Sequence, residues 1–244
     1  KAEGVNKELS TIVEGESAFN DGIGVVLFLI FLKLCLGTEE VTIASSLMEF
    51  FREIVLGGGI GLVFGYVTHR IIGKLDDRFT EIMLSVALAY GVYILADRLH
   101  ASGVIAVVCS GLIIGNYGKT FSMSPTTRLA LSTFWEVIAF IGNSLLFLLM
   151  GIAFDLPNLL SHWDTISLIF LILVAVRSLI TYSFFFVLNR FNKPISMSWQ
   201  HIVNWGGLKG SVPVALVLGI PSTLTIQTAQ STLDKGDITQ IIFG

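Results

Sequence analysis

The sequence predicts an all-α integral membrane protein that folds as a polytopic helix bundle. Hydrophobic residues make up 53% of the 244 residues, charged residues only 14%, and the mean hydropathy is +0.79. Soluble domains carry about 25% charged residues, so this composition indicates a chain that lies in lipid. Apolar stretches long enough to cross a bilayer, which takes about 20 residues, recur along the chain and are separated by short polar breaks.

We expect about seven full spans and the start of another, all within one partial transmembrane domain, residues 1–244. The predicted spans cover residues 10–36, 46–72, 79–99, 103–116, 127–154, 166–191 and 198–219, and a truncated segment begins at Ile238. Ser10 is the expected N-cap of the first span. The glycines from Gly57 to Gly65 are expected to serve close helix packing, because no strand precedes them and no phosphate-binding Gly-Lys-Ser/Thr ending follows. Both ends of the chain look cut, so we expect a fragment that lacks N-terminal helices and most of the last helix.

The distribution of basic residues gives the expected orientation in the membrane. With alternating spans, one side carries Lys1, Lys7, Arg70, Lys74, Arg78, Lys119, Arg128, Arg190 and Lys193. The other side carries only Lys33, Arg52, Arg98 and Lys235. The richer side should be cytoplasmic, which makes the protein a multi-pass protein, expected in the cell membrane. There is no basic run and no zinc-like Cys/His spacing, so a nucleic-acid partner is not expected, whereas membrane lipid is.

Polar residues cluster inside the first span, which is otherwise apolar. Glu16, Ser17, Asn20 and Asp21 share one side of a helix that turns by about 100° per residue, and Asp21 lies near the middle of the span. A carboxylate at that depth is costly and marks an ion or proton path. Desolvation raises the pKa of such a carboxylate and a bound cation lowers it again, so a proton and a cation compete for the same group.

These residues also carry a family resemblance. The segment Glu16-Ser17-x-x-Asn20-Asp21-Gly22 resembles the signature of monovalent cation/proton antiporters of the sodium/proton exchanger type, in the electroneutral Asn-Asp branch. The resemblance continues at residues 102–106, 134–151, 177 and 205–210, in the family's order.

The resemblance implies an antiporter-type bundle with a broken helix near mid-membrane and exchange of a monovalent cation, sodium first, for protons. Such exchange serves pH homeostasis. It further implies a homodimer as the full-length protein and no cofactor beyond the transported sodium or other cation and H⁺. A transporter of this kind is not an enzyme.

The roles expected of the polar residues follow from depth and charge. Asp21 is the expected proton and cation carrier and the expected sodium site, with Ser17 and Asn20 either donating ligand oxygens or holding the site by hydrogen bonds. Because Asn20 does not titrate, one cation should exchange for one proton. Glu16 and Arg177 are the expected structural ion pair, since each charge alone would be costly at this depth. A second cation ligand is the rival role for Glu16.

Further residues are expected at the broken helix and along the access path. Lys209 lies among Gly206, Gly207, Gly210 and Pro213, where it would neutralise a half-helix end, although those residues can also simply bend a helix. Glu14, Glu136 and Asn143 are expected to line an access path or to pack between helices.

Two other function classes fit polar membrane helices. A cation channel is the alternative, but the sequence lacks a repeated carbonyl-rich filter segment or an acidic ring. An intramembrane enzyme is less favoured, because no Ser/His or paired-Asp arrangement occurs at suitable depth.

Overall fold

The described part of the chain is mainly helical in the computed structural model, which describes residues 7–36, 43–75, 77–191, 195–206, 211–221, 224, 226–227 and 232–243. The helices are α1 Lys7–Leu36, α2 Ile43–Ile72, α3 Arg78–Arg98, α4 Gly103–Ile113, α5 Pro125–Ala153, α6 Leu156–Ser161, α7 Trp163–Phe191, α8 Met197–Gly206, α9 Ser211–Leu218 and α10 Lys235–Phe243. A π-helical segment, Ile114–Ser122, continues α4. Two short strands, β1 Ile226–Gln227 and β2 Thr232–Leu233, pair antiparallel with Ile226 opposite Leu233.

Within the described ranges, five helices are long and apolar enough to cross a membrane: α1, α2, α3, α5 and α7. A shorter apolar helix covers Gly103–Gly118. The prediction of an all-α polytopic membrane protein is therefore confirmed. The full count of about seven spans stays a prediction. Helices α8 and α9, at ten and eight residues, are each shorter than a bilayer requires. Residues 207–210 between them lie outside the described residues.

One local prediction differs from the structure. The N-cap prediction for Ser10 is wrong, because α1 already begins at Lys7 and the Ser10 hydroxyl instead donates to Glu14 Oε1 at 2.8 Å. The break predicted after residue 154 is present, and a short helix, α6, follows it: α6 begins after the extended residue Asp155 and has Pro157 in its first turn. Proline is favoured there because its missing N–H would have no helical partner at that position.

The chain divides into two compact units, residues 18–145 and residues 1–17 with 146–244. In the first unit, α2 and α4 approach through small residues one turn apart. A Cβ built on Gly57 would lie 2.5 Å from the carbonyl oxygen of Ser102, and one on Gly65 would lie 2.9 Å from Cα of Ser110. Gly61 packs in the same way against the Ala106 carbonyl. The packing role predicted for these three glycines is confirmed.

The direction of this contact supports the alternation of spans. Residue numbers rise together along α2 and α4, from the Gly57–Ser102 contact to the Gly65–Ser110 contact, so the two helices run parallel. If α3 crosses the membrane once between α2 and α4, then α2 and α4 must run in the same direction, as they do. Asp77 is the N-cap of α3: its carboxylate accepts hydrogen bonds from the backbone N–H and the hydroxyl of Thr80 at 2.9 and 2.6 Å.

Helix α1 packs against α4 along one narrow face. Gly22, Val26 and Ile30 recur at intervals of four residues, and all three are buried. A Cβ on Gly22 would lie 2.8 Å from Cδ1 of Ile105, the α4 residue that clusters with Val26 and Ile30. The face of α1 that carries Gly22, Val26 and Ile30 is therefore the one that meets α4.

In the second unit, the start of α1 packs with α7 and α8. The buried residues Leu9, Phe185 and Val203 form its apolar cluster, and Val13 lies against it. Gly206 at the end of α8 also faces Val13, whose Cγ1 would lie 3.7 Å from a Cβ built there. The packing therefore holds the end of α8 beside the first half of α1.

Candidate functional site

Glu16 on α1 and Arg177 on α7 face each other within the second unit. Arg177 Nη1 donates to Glu16 Oε1 at 3.3 Å, and Nη2 donates to Oε2 at 3.4 Å. The two planar groups therefore meet side by side, an arrangement that an arginine fork suits better than a lysine ammonium. The side chains keep 24% and 32% of their surface exposed, so the pair is only partly desolvated.

The same guanidinium also binds the end of α8. Arg177 Nε donates to the carbonyl oxygen of Asn204 at 2.7 Å, and Nη2 donates to the carbonyl oxygen of Val203 at 3.0 Å. Among the described residues α8 ends at Gly206, so these are carbonyls of its last turn, the part of a helix whose carbonyls ordinarily lack a partner within the helix. A cation at a helix C-terminus is also favoured by the helix dipole. Arg177 therefore joins α1 to the C-terminal end of α8.

Asn204 strengthens the connection between α7 and α8. Its side chain is 9% exposed, and Nδ2 donates to the hydroxyl of Ser178 at 3.1 Å. Its Oδ1 is buried and has no hydrogen-bond partner in the part of the chain that the structure describes. Ser178 follows Arg177 directly, so two successive residues of α7 hold the same turn of α8.

Asp21 lies in the middle of α1, fourteen residues after Lys7 and fifteen before Leu36. It is half-buried, as are Asn20 and Ser17. Among the residues that the structure describes, no hydrogen bond or ion pair engages the Asp21 carboxylate. The two carboxylates of this segment therefore differ, because Glu16 is bound by Arg177 and Asp21 remains available for a proton or a cation.

The other predicted residues lie at different places. Glu14 is exposed and accepts the hydrogen bond from Ser10. Glu136 and Asn143 are both on α5 and exposed within its unit. Lys209 lies outside the described residues. The access or packing roles predicted for Glu14, Glu136 and Asn143 stay predictions.

One buried carboxylate was missed by the sequence analysis. Glu81, in the first turn of α3, is only 2% exposed, and the hydroxyl of Thr127 on α5 donates to its Oε1 at 3.5 Å. One turn along α3, Ser85 accepts a hydrogen bond from Trp135 Nε1 at 3.1 Å. The signal in the sequence is a lone carboxylate in the first turn of an apolar span, with a serine four residues later on the same face.

These features define a class of protein. Several membrane-length helices, a carboxylate in the middle of one of them and two short successive helices are features of integral membrane proteins that transport ions. Arg177 at the end of α8 matches the general use of half-helix ends as charged sites in such bundles.

The chain belongs to the sodium/hydrogen exchanger family: the family model described as "Sodium/hydrogen exchanger, transmembrane" matches residues 1–234. The chain is 38% identical over 99% of its length to the low-affinity Na⁺/H⁺ antiporter NhaS1 of Synechocystis sp., covering 45% of that protein. It is 42% identical to the Na⁺/H⁺ antiporter NhaG of Bacillus atrophaeus over 91% of the chain and 42% of that protein. It is 39% identical to the Na⁺/H⁺ antiporter NhaP of Pseudomonas aeruginosa over 91% of the chain and 53% of that protein. The chain therefore spans about half the length of these relatives.

Proposed function

We propose that the full-length protein is a secondary active antiporter that exchanges a monovalent cation, sodium first, for protons across a membrane. The observation that carries the proposal is the contrast between two carboxylates on α1. Glu16 is bound by the Arg177 guanidinium, whereas the half-buried Asp21 carboxylate has no partner among the described residues. The relatives, which are named Na⁺/H⁺ antiporters, support the same conclusion.

The chemistry of the exchange follows from competition at Asp21. A proton and a cation both neutralise the carboxylate, so binding of one displaces the other. Ser17 and Asn20 lie on the same side of α1 and supply hydroxyl and amide oxygens of the kind that a monovalent cation accepts. Asn20 carries no titratable group, so each turnover exchanges one cation for one proton and moves no net charge. Alternating exposure of this site to the two sides of the membrane completes the cycle.

The Glu16–Arg177 pair has a structural part in this proposal. Arg177 holds the end of α8 to α1 and neutralises Glu16, so that Asp21 is the carboxylate left to bind the cargo. The full-length protein is proposed to work as a homodimer that contributes to pH homeostasis.

The test is exchange by the full-length protein in proteoliposomes, with an Asp21→Asn variant. Sodium-driven proton movement should fall to the level of protein-free vesicles, because Asn cannot exchange a proton for a cation. Asp164→Asn is the matched control, since it removes an exposed carboxylate of α7 and should leave exchange intact. Wild-type rates in Asp21→Asn would refute the carrier assignment.

The same vesicles test the one-for-one stoichiometry. Clamping the membrane potential with valinomycin and potassium should leave the initial rate unchanged at a fixed pH gradient. A several-fold change in rate on imposing a potential would show that net charge moves and would contradict the role given to Asn20.

A further inference from the structure

A cleft opens in the first unit at the end of α1 opposite to Glu14. It has a volume of about 660 Å³ and is walled by the last turns of α1, the first turns of α2, the end of α3 and the start of α4. All its lining residues belong to the unit of residues 18–145. None of the site residues predicted from sequence lines it.

The lining of the cleft carries an excess of negative charge. Its carboxylates are Glu49, Glu53 and Asp97, and its basic side chains are Lys33 and Arg52. Lys33 Nζ binds Glu49 Oε1 at 2.5 Å, an ion pair that connects α1 to α2 at the mouth. With that pair neutral, the carboxylates of Glu53 and Asp97 face the guanidinium of Arg52, which leaves one negative charge in excess when His100, also in the lining, is neutral.

Charged and titratable groups from three parts of the cleft wall surround Glu53. Lys33 from α1, Glu49 from α2 itself and His100 from the turn before α4 all interact electrostatically with its carboxylate. The backbone is fixed nearby, because the Ser102 N–H donates to the carbonyl of Glu53 at 3.2 Å.

The wall contributed by α1 leads towards Asp21. Val25, Leu29 and Lys33 line the cleft at intervals of four residues, which is one stripe of a helix. Asp21 occupies the next position of that stripe, one turn and about 6 Å below Val25 along the helix axis. The cleft therefore ends one turn short of the carboxylate proposed to carry the cargo, with the apolar Val25 side chain as the last wall residue.

The position of the cleft in the membrane follows from the basic residues. Its mouth lies at the end of α1 that carries Lys33 and at the start of α2 that carries Arg52, which is the side expected to be non-cytoplasmic. Glu14 lies towards the other end of α1, so the two ends offer different approaches to Asp21.

We propose that this cleft is the external access path by which hydrated monovalent cations reach Asp21, with Glu53 and Asp97 as the carboxylates that concentrate them. The inference rests on the proposed function, since it names the route to the same carboxylate. Glu53 and Asp97 act before binding at Asp21, through the electrostatic potential of the cleft, and the path narrows at Val25.

The test is the reactivity of single cysteines in the full-length protein, in intact cells. Val25→Cys and Leu29→Cys are placed in a background in which Cys35, Cys109 and all cysteines outside this chain are replaced. Impermeant methanethiosulfonates are added outside, one cationic (trimethylammonium) and one anionic (sulfonate). Phe31→Cys is the control on the same helix, because Phe31 is apolar, 60% exposed and about 120° away from Val25 around the helix.

Both test cysteines should react, whereas Phe31→Cys should not, because charged reagents do not reach thiolates in lipid. At low ionic strength and pH 8, where histidine is ordinarily neutral, the cationic reagent should react roughly fivefold faster than the anionic one, after correction for their rates with a free thiol. Adding Glu53→Gln should remove this preference, and Glu53→Gln with Asp97→Asn should reverse it.

Two outcomes would overturn the access path in a protein that exchanges normally. In the first, the single variants Val25→Cys and Leu29→Cys react with the external reagents no faster than Phe31→Cys, or react only when the reagents are added on the cytoplasmic side. The other is equal rates with the two reagents, unaffected by Glu53→Gln. Absence of sodium-driven exchange in the wild type would instead refute the proposed function, and the labelling readout keeps these failures apart. In exchange itself, Glu53→Gln should raise KM for external cation severalfold and leave kcat unchanged.

Discussion

Replacing Arg177 with Gln removes four hydrogen bonds that connect three helices. Two go to the Glu16 carboxylate at 3.3 and 3.4 Å, and two go to the carbonyls of Asn204 and Val203 at 2.7 and 3.0 Å. Because both charged side chains remain about a quarter to a third exposed, water screens the ion pair, and its contribution is about 1 kcal/mol. Each bond from the guanidinium to a carbonyl contributes about 1.5 kcal/mol.

These magnitudes predict an asymmetry between the two partners. Arg177→Gln should lower the free energy of unfolding by about 4 kcal/mol, close to the cost of breaking a buried pair, because it also leaves two α8 carbonyls without donors. Glu16→Gln should cost only about 1 kcal/mol, since Arg177 keeps both carbonyls. The double variant should lose less than the sum of the singles by about 1 kcal/mol, because the Glu16 charge is no longer left unpaired.

The measurement is thermal unfolding of the full-length protein in one detergent at one pH. Because all variants share one chain length, their Tm shifts are proportional to their losses of free energy, and the Arg177→Gln shift should be severalfold larger than the Glu16→Gln shift. Arg190→Gln is the control on the same helix, exposed and in the last turn of α7. Equal losses for the two single variants would refute the role of the α8 carbonyls, and strictly additive losses would refute the pair.

Two further predictions concern the first unit. Gly61→Ala should lower the free energy of unfolding by about 1–3 kcal/mol, since the new methyl group overlaps the Ala106 carbonyl, whereas Gly59→Ala, with nothing within 4 Å of the new methyl group, should be close to neutral in the same melting experiment. At the start of α3, hydrogen bonds from the Thr80 hydroxyl and then the Thr80 N–H lower the pKa of Asp77 below 3.8, so its stabilisation of the helix should be complete above that pH and disappear as pH falls through the lowered value. Hydrogen exchange at the Thr80 amide, corrected for intrinsic rates, should show this loss in the wild type and a flat profile in Asp77→Asn; a falling profile in both would contradict it.

The long helices were predictable because their signal is local. Helix α2 was expected over 46–72 and lies at 43–72, and α7 was expected over 166–191 and lies at 163–191, since an apolar run ends where charged or breaking residues begin. The starts were less accurate, because a helix extends into polar residues when its first turns find partners. The antiparallel pairing of β1 and β2 lies between the predicted span 198–219 and the segment that begins at Ile238, where no strand was predicted, and it consists of only two residue pairs.

The candidate site, too, was predictable from the sequence only in part. The position of Asp21 in the middle of α1 follows from residue counting. The contact between Arg177 and Glu16 spans 161 residues and was expected from charge balance and family resemblance, but the two α8 carbonyls on the same guanidinium were not. Backbone carbonyls have no sequence signal, and which of them lies near Arg177 depends on how α7 and α8 pack. The cleft was missed for the same reason, because Glu53, Asp97 and His100 are far apart in the sequence and meet only through the packing of α2, α3 and α4.

The seam between α2 and α4 also determines how the first unit responds to change. Its shortest contacts are made to backbone atoms, namely the carbonyl oxygens of Ser102 and Ala106 and Cα of Ser110, so no change of side-chain rotamer can make room for a group added at Gly57, Gly61 or Gly65. On the surface of the same helix, by contrast, large apolar side chains such as Phe51 and Val63 are exposed and replaceable by others of similar hydropathy. On the face of α2 that meets α4, a substitution is therefore tolerated only if it adds no volume, whereas on the exposed face it is tolerated if it keeps the hydropathy. The positions of α2 that tolerate the least change are thus its glycines.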